Sequence, residues 1–485
     1  MVAPWPWLVS GVTIGDVKLS VLVCVPIVAV GLAAGSTSRT EPSQERDTEH
    51  VWLAGNRADS RSSAAVPTTR PERALTSSRT LSVGRVFPGL GSADTPGDPP
   101  DPVIGAGAGF VVQVVNSAVR VWTDDGAVRA DYPLASFAEA SGADVSDPRV
   151  AFDPSTERWF VSVVDVARAT VQLAVSETSD PTGAWTVYSH ATGSCPDQPS
   201  LGVGRDLVVF GYTAYSLPCR SETSSYLGGA LFAYDKQELL DGLSPQAVDW
   251  GPRLTFSPVT AVETGGAQIA VALVTPMPTG GPTYLEIFSG RPPAVRITQL
   301  PIDPLSPPPE AEQAETSRPV ETNDERILSA VVDGRTLWLA GNDGCVPPRD
   351  TRLRSCLRVI AVKGGRITLD ADLGSKGQDF FYPALAPDAN GDLVVVHGTS
   401  SRTTDPGLAA LTITPAGRQT RAITVATGAG PVLSDRFGDY FGAAADESGR
   451  VWLTGETGSS AGWATVVASV AAPAHRASTP GESGS

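Results

Sequence analysis

Acidic, arginine and tyrosine side chains recur in short segments that each precede an apolar, strand-like run. If every such run is the inner strand of a ring of sheets, the preceding side chains converge on one end of a central channel. Converging carboxylates are suited to a calcium ion or to the cationic group of a ligand. The candidate ligand-binding residues are Asp147, Asp197, Asp379, Tyr382, Asp435 and Asp439. Of these, Asp197 and Asp439 are the candidate calcium ligands.

Three arginines stand in the same segments and suit a different ligand chemistry. Arg149, Arg326 and Arg436 could bind a ligand carboxylate through paired hydrogen bonds. Each arginine also has an aspartate close by in the sequence, so an ion pair within the segment is the alternative. For an aspartate that precedes proline, such as Asp147, the alternative is a turn capped by its own side chain. The residue types alone leave these alternatives open.

A repeated strand-turn-strand unit places these segments in a fold. Seven copies open with a proline or a small residue, and each continues as a short apolar strand, a tight turn and a second apolar strand. Their spacing of about 50 to 70 residues lies in the range of propeller blades. Two further strands complete each unit, which predicts an all-β fold, a seven-bladed β-propeller of four-stranded antiparallel blades. Thr80–Phe87 is predicted to close the ring as an N-terminal strand, and Lys236–Leu240 is the one predicted helix.

Strand order divides the connections between two faces of the predicted ring. The turns between first and second strands are tight and must share one face. The starts of the inner strands lie on the opposite face, together with the long connections 213–228, 275–283, 342–356, 399–407 and 456–462. Long loops on a rigid scaffold are where binding sites concentrate, so this long-loop face is the predicted functional face. The Pro-rich insertion Leu300–Thr322 is predicted to be a mobile excursion between blades.

The two ends of the chain predict an exported protein. Residues 1–36 contain an apolar run that is interrupted by Pro26, which predicts a signal peptide or an N-terminal membrane anchor. Residues 37–79 have the composition of a disordered linker, and residues 473–485 that of a disordered tail. The propeller is therefore assigned to residues 80–472.

Cysteine content and net charge agree with export. The four cysteines beyond the leader form two local pairs, which predict the disulfides Cys195–Cys219 and Cys345–Cys356. The net charge of −16 argues against a nucleic-acid partner, which needs a basic surface. A membrane would be contacted only through an uncleaved N-terminal segment. The predicted location is secreted or extracellular, including a tether on the outer side of the cell membrane.

Several stretches resemble secreted bacterial propeller proteins that are grouped as sialidase-like, with BNR-type repeats. They are VVQVVNSAVRVWTDDG (111–126), SDPRVAFDPSTERWF (146–160), AVSETSDPTGAWTVY (174–188), CPDQPSLGV (195–203) and DRFGDYFGAAADESGRVWLTGE (435–456). The resemblance implies export and a ring of about seven blades, without a settled activity.

A more distant similarity to true sialidases implies catalytic roles. Arg149, Arg326 and Arg436 would form an arginine triad, Tyr440 and Glu456 a nucleophile pair, and Asp197 the acid–base residue. The Arg-Ile-Pro motif and the Ser-x-Asp-x-Gly-x-x-Trp boxes of sialidases are absent from this chain.

Two classes of function follow from these patterns, with a third reading beside them. The first is an exported propeller that binds an extracellular or cell-envelope ligand, such as a glycan, a peptide or an envelope component, on the long-loop face, with calcium as a candidate support. The second is a sialidase-like hydrolase or lyase acting on glycans through the acidic and arginine residues. The third is a scaffold held at the cell surface by an uncleaved N-terminus.

Overall fold

The computed structural model describes residues 80–471, apart from 143, 221–222, 254, 256–257, 263–267, 275–282 and 415. The predicted leader, linker and C-terminal tail lie outside the described residues. Within the described part of the chain, the strands form seven four-stranded antiparallel sheets, numbered here as sheets 1 to 7. The predicted all-β propeller of four-stranded antiparallel blades is confirmed at this level.

Each sheet is built from strands that follow one another along the chain, except that the N-terminal strand completes the last sheet. The N-terminal strand is β1 (Ser82–Gly91). Sheet 1 consists of β2 (Val103–Gly107), β3 (Phe110–Val115), β4 (Ala118–Thr123) and β5 (Val128–Pro133). Sheet 2 consists of β6 (Val145–Asp153), β7 (Arg158–Asp165), β8 (Thr170–Ser176) and β9 (Trp185–Ala191). Sheet 3 consists of β10 (Cys195–Val203), β11 (Leu207–Tyr215), β12 (Tyr226–Asp235) and β13 (Val248–Arg253).

The second half of the chain repeats this arrangement. Sheet 4 consists of β14 (Val259–Val262), β15 (Gln268–Val274), β16 (Thr283–Arg291) and β17 (Ala294–Ile302). Sheet 5 consists of β18 (Ile327–Asp333), β19 (Thr336–Cys345), β20 (Arg354–Lys363) and β21 (Arg366–Leu373). Sheet 6 consists of β22 (Asp379–Pro387), β23 (Leu393–Ser401), β24 (Thr404–Ile413) and β25 (Ile423–Ala426). Sheet 7 consists of β26 (Gly442–Ala445), β27 (Val451–Thr457), β28 (Ala464–Ala471) and β1.

The first strand of each sheet lines a ring. The inner strands β2, β6, β10, β14, β18, β22 and β26 contact one another in this order, and β26 contacts β2. Small residues allow this close approach, since a Cβ atom on Gly442 would lie 2.7 Å from the backbone nitrogen of Ile104 in the neighbouring inner strand. The predicted first strands therefore contain small residues because larger side chains would collide with the neighbouring inner strand.

Strand β1 closes the ring by pairing antiparallel with β28, from Ser82 opposite Ala471 to Gly91 opposite Ala464. The Phe87 ring lies 5.5 Å from the Trp122 ring and 6.2 Å from the Trp452 ring, between sheets 1 and 7. The predicted closure by an N-terminal strand is confirmed, with the strand four residues longer at its C-terminal end.

Tryptophan and aliphatic side chains fill the space between neighbouring sheets. Trp122, Trp159, Trp338 and Trp452 are at most 3% exposed, as expected for packing between blades. Among the residues that the structure describes, two short helices interrupt the strand pattern, α1 (Leu134–Phe137) and the predicted α2 (Lys236–Leu240). The Asp235 side chain accepts the backbone N–H groups of residues 237 and 238, which starts α2 at the predicted position.

Two predictions about the connections were wrong. The predicted loop 399–407 is a tight hairpin, because β23 runs to Ser401 and β24 begins at Thr404. The Pro-rich insertion is packed against the propeller. Beyond β17, Ala311 and Val320 exchange two backbone hydrogen bonds of 2.9 Å and are fully buried. We call residues 303–326, between β17 and β18, the Pro-rich connection.

Both predicted disulfides are present, Cys195–Cys219 in sheet 3 and Cys345–Cys356 in sheet 5. They indicate an extracellular or otherwise oxidising environment. Among the described residues, no helix has the length and apolar character needed to cross a membrane.

Candidate functional site

The backbone turns sharply where four of the inner strands begin. Asp101, Asp147, Gln198 and Tyr382 each precede a proline and have φ values of 48°, 56°, 46° and 54°. The left-handed region is uncommon for residues other than glycine, and a following proline favours extended backbone instead. In β6, β10 and β22 the pairing register also shifts at this point, as in a β-bulge. The surroundings must therefore hold this conformation.

Side chains from neighbouring sheets accept the N–H groups of these turned residues. Asn116 Oδ1 accepts the N–H of Asp147 at 2.8 Å, and Asn342 Oδ1 accepts that of Tyr382 at 2.8 Å. Asp147 Oδ2 in turn accepts the N–H of Gln198 at 3.2 Å. Each bond links the start of one inner strand to the preceding sheet, so the same interaction both fixes the turn and joins two sheets.

These starts bring five carboxyl groups together on the axis of the ring, at what we call the channel mouth. Its carboxyl groups are those of Asp101, Asp147, Asp197, Asp439 and Glu456, and all except that of Asp197 are less than 8% exposed. Asp101 Oδ1 accepts the N–H of Asp439 at 2.8 Å, which connects sheets 1 and 7. The predicted convergence of acidic side chains is therefore observed for Asp147, Asp197 and Asp439.

Burial and mutual repulsion hold protons on this cluster. Burial raises the pKa of Asp101 well above its usual range, and the nearby charges of Asp439 and Asp147 raise it further. Burial, with the charge of Asp147, raises the pKa of Asp197 to about 7, although Arg326 opposes the shift. Burial also raises the pKa of Glu456 well above its usual range. At neutral pH the channel mouth therefore carries fewer charges than carboxyl groups.

Arg149 and Tyr440 form one wall of the channel mouth. The Arg149 guanidinium lies 3.6 Å from the centroid of the Tyr440 ring, a cation–π arrangement. The Tyr440 hydroxyl donates to Asp147 Oδ1 at 3.5 Å. Burial raises the pKa of Tyr440 well above its usual range, so its phenol stays protonated at neutral pH. A tyrosine nucleophile would need the opposite shift.

Arg326 and Arg436 are engaged by carboxylates of the protein itself. Arg326 makes two hydrogen bonds to Asp324, at 2.7 and 2.6 Å, and its Nη1 donates to the side-chain oxygen of Gln198. Arg436 Nη2 donates to both Asp439 oxygens at 2.8 Å, and its Nε lies 2.8 Å from Glu321. The ion-pair alternative of the sequence analysis thus describes both arginines.

The channel mouth has an excess of acidic groups. Asp324 and Glu321, which pair with arginines at its rim, bring the five carboxyl groups of the channel mouth to seven, and these face three guanidinium groups. The acids are Asp101, Asp147, Asp197, Asp324, Asp439, Glu321 and Glu456, and the arginines are Arg149, Arg326 and Arg436. A buried carboxylate without a counter-charge is costly, so this excess favours either bound protons or a cationic group.

Two predicted site residues lie elsewhere. Asp379 accepts the backbone N–H groups of Ser355 at 3.2 Å and Glu312 at 3.0 Å, and pairs with Arg354 in sheets 5 and 6. The Asp435 side chain is 94% exposed and pairs with Arg318 on the Pro-rich connection. Within the described residues, no group of three or more His, Cys, Asp or Glu has an arrangement suited to a metal ion. The geometry therefore gives no support to calcium ligation by Asp197 and Asp439.

Sequence reasoning missed several residues of the channel mouth. Asp101 was available as a signal, because Asp101-Pro102 repeats the Asp147-Pro148 pattern before the first copy of the repeat. Asn323 donates to Asp439 Oδ1 at 3.1 Å, and Glu321 pairs with Arg436. Both belong to the Pro-rich connection, and no local sequence pattern predicts where this connection packs on the ring.

A cavity of about 330 Å³ lies at the opposite face, between sheets 3 and 4. Its lining includes Leu207, Asp235, Glu238 and Arg291, and none of the predicted site residues. Arg291 Nη2 donates to Asp235 Oδ2 at 3.1 Å across one side. The polar residues that line this cavity are not buried, so none of them would hold a ligand in a fixed position.

Comparisons with known proteins establish no family for this chain. No family model matches it, and no curated protein matches it. Solved structures that are similar include a protein of unknown function from Dyadobacter fermentans, at 12% identity over 77% of this chain and 94% of that chain, with a TM-score of 0.39.

Two further similar structures carry functional names. The β-propeller domain of the trilobed protease from Pyrococcus furiosus has 7% identity over 74% of this chain and 91% of that chain, with a TM-score of 0.41. An endo-arabinase from Bacteroides thetaiotaomicron has 11% identity over 68% of this chain and 94% of that chain, with a TM-score of 0.33. Likenesses this distant carry no argument about activity, so function is argued from the residues of this propeller alone.

Proposed function

We propose that this chain is an exported, seven-bladed β-propeller that binds an extracellular or cell-envelope ligand on its long-loop face, with the channel mouth receiving a cationic group of that ligand. The observation that carries the proposal is the excess of seven carboxyl groups over three guanidinium groups on the axis of the ring. A ligand ammonium or guanidinium would replace the protons that otherwise neutralise these acids.

The channel mouth has both an accessible rim and a rigid interior. At the rim, the side chains of Asp324 and Arg436 are 31% and 41% exposed. In the interior, Asp101 and Asp147 are only 2% and 5% exposed, and their oxygens accept hydrogen bonds from backbone and side-chain groups. Such preorganised acceptors favour a ligand cation without a cost for ordering them on binding.

The proposal is tested by melting the full-length protein with putrescine, with calcium chloride, and with EDTA alone. A ligand at about 100 times its Kd stabilises the folded state by roughly 2.7 kcal/mol, which gives a measurable rise in melting temperature. We expect putrescine to raise the melting temperature, and Asp147→Asn and Asp439→Asn to abolish the rise.

Asp435→Asn is the matched control, because it removes the same charge from an exposed position on the same face. If neither putrescine nor calcium changes the melting temperature, or if the control variant loses the response as well, the carboxyl groups serve only to fix the turns at the strand starts. A rise in melting temperature with calcium but not with putrescine would show that the channel mouth binds a metal ion and not a cationic ligand group.

Glycan hydrolysis is the second candidate, favoured by one observation. Asp197, with a pKa raised to about 7 by burial and by Asp147, has the protonation behaviour of a general acid near neutral pH. Release of nitrophenol from a panel of nitrophenyl glycosides by the wild-type protein, with loss of at least a hundredfold in Asp197→Asn, would establish this activity. Equal rates in both proteins would exclude Asp197 as the acid.

A further inference from the structure

Three arginines surround a single carboxylate at the edge of the long-loop face. Glu312 Oε1 lies 2.8 Å from Arg352 Nη1 and 2.9 Å from Arg402 Nε, and its Oε2 lies 2.8 Å from Arg354 Nη1. The arginines come from two connections and a strand of sheets 5 and 6, whereas Glu312 comes from the Pro-rich connection. Both carboxylate oxygens are therefore held by groups that are distant in sequence.

We call the site formed by Arg352, Arg354 and Arg402 the arginine pocket. Its buried side is held in place by other residues of the protein. Arg354 in β20 is 7% exposed, and its Nε donates to Asp350 Oδ2 at 3.0 Å. Asp350 Oδ2 also accepts the N–H of Gly377 at 2.8 Å, and Arg354 Nη1 lies 3.4 Å from Asp379. These bonds hold the guanidinium in place from the protein side, independently of Glu312.

The rim of the pocket is open to solvent. The side chains of Arg352 and Arg402 are 49% and 70% exposed, and Glu312 is itself 23% exposed. Burial alone would raise the pKa of Glu312, but the hydrogen bonds from Arg402, Arg354 and Arg352 outweigh it and lower the pKa to about 2. The carboxylate is thus fully ionised, and the solvent reaches it from the side of Arg352 and Arg402.

The local charge balance depends on Glu312. With this residue in place, three arginines face three carboxylates, those of Glu312, Asp350 and Asp379. If Glu312 withdraws, the pocket has a net charge of +1, and Arg352 and Arg402 both lose the carboxylate that they contact. Arginine forks match the planar geometry of a carboxylate, so a ligand carboxylate is the natural replacement.

We propose that Arg352, Arg354 and Arg402 form a carboxylate-binding site in which Glu312 is a resident occupant that a ligand carboxylate displaces. The Pro-rich connection then acts as a tethered competitor for the ligand. The inference rests on the proposed binding function of the long-loop face, and it adds an anionic group to the ligand that this face receives.

The experiment measures binding of glucuronate to the full-length protein by titration calorimetry. Glucuronate methyl ester, which lacks the charge, is the probe control. The variants are Glu312→Gln, which keeps the shape, and Glu312→Ala, which vacates the pocket. Glu315→Gln is the matched protein control, because it removes the same charge from an exposed position on the same connection.

We expect both Glu312 variants to bind glucuronate at least tenfold more tightly than the wild-type protein and Glu315→Gln, with no gain for the ester. Adding Arg402→Gln to Glu312→Gln should weaken binding at least fivefold. The proposal is overturned if the Glu312 variants bind no more tightly than Glu315→Gln, or if the ester binds as well as the acid. We expect the response of the melting temperature to putrescine to be the same in these variants as in the wild-type protein, so failure here is distinguishable from failure at the channel mouth.

Discussion

Replacing Asp197 by asparagine should make the protein more stable at alkaline pH and leave its stability at acidic pH nearly unchanged. Burial and the charge of Asp147 raise the pKa of Asp197 from 3.8 to about 7 in the folded protein. Below the unfolded value, the group is protonated in both states and costs nothing. As the pH rises, the unfolded chain releases this proton first, so the wild-type protein loses stability until the pH passes the folded pKa.

The size of the effect follows from the shift. Each pKa unit corresponds to ~1.4 kcal/mol, so a shift from 3.8 to about 7 sets an upper limit of about 4 kcal/mol on the gain from Asp197→Asn at pH 8. The charges of Asp147 and Asp439 cause part of the shift, and removing Asp197 relieves only part of the repulsion in the cluster. We therefore expect a gain of about 1–2 kcal/mol at pH 8.

The assay is urea unfolding followed by tryptophan fluorescence at pH 5, 6, 7 and 8, at constant ionic strength with EDTA. Asp435→Asn is the control, since its side chain is 94% exposed and should change stability by less than about 0.5 kcal/mol at every pH. A destabilisation by Asp197→Asn that is equal at all four pH values would refute the reasoning, because it would show that Asp197 is ionised and paired throughout.

Three further substitutions test the packing of the propeller. Lys236→Met should destabilise the protein by about 3–5 kcal/mol in urea unfolding, because the buried Asp153 loses its ion-pair partner, and adding Asp153→Asn should recover part of the loss. Asn342→Ala should cost about 1–3 kcal/mol and increase amide exchange at Tyr382, whose N–H loses its acceptor; unchanged exchange would contradict the role given to Asn342. Gly442→Ala should lower the melting temperature by an amount equivalent to about 1–3 kcal/mol, because the added methyl group meets the neighbouring inner strand; full stability would show that the ring can widen there.

The sequence predicts those features of the fold that repeat. The copies of the strand-turn-strand unit locate the inner strands, and the same pattern assigns Asp147, Asp197 and Asp439 to one end of the channel. The prediction for Asp435 is wrong because this residue lies several positions before β26, where its side chain is exposed to solvent and pairs with Arg318. Within the same segment, Arg436, Asp439 and Tyr440 reach the channel mouth, and sequence spacing alone does not distinguish these positions from Asp435.

Contacts made by the Pro-rich connection could not be predicted from any local pattern. Its composition indicates a mobile segment, yet the side-chain amide of Gln313 donates to the Val432 carbonyl at 3.0 Å and accepts the Val432 N–H at 2.8 Å. Glu321 and Asn323 then reach Arg436 and Asp439 at the channel mouth. These are pairings between residues more than 100 positions apart, which depend on the closed ring and not on residue propensities.

The residues with left-handed backbone conformation link the channel mouth to the junctions between neighbouring sheets. A residue in this conformation costs about 1–3 kcal/mol, and the chain adopts it before proline at the start of several inner strands. The turn directs the N–H of Asp147, Gln198 or Tyr382 toward an acceptor in the preceding sheet. Because Asp147 acts both as a turned residue and as the acceptor for Gln198, its carboxyl group cannot move without loosening the next strand start. A cation that binds this carboxyl group would therefore stabilise the junction between sheets 2 and 3 together with the site itself, in place of the protons that the raised pKa values keep on the cluster.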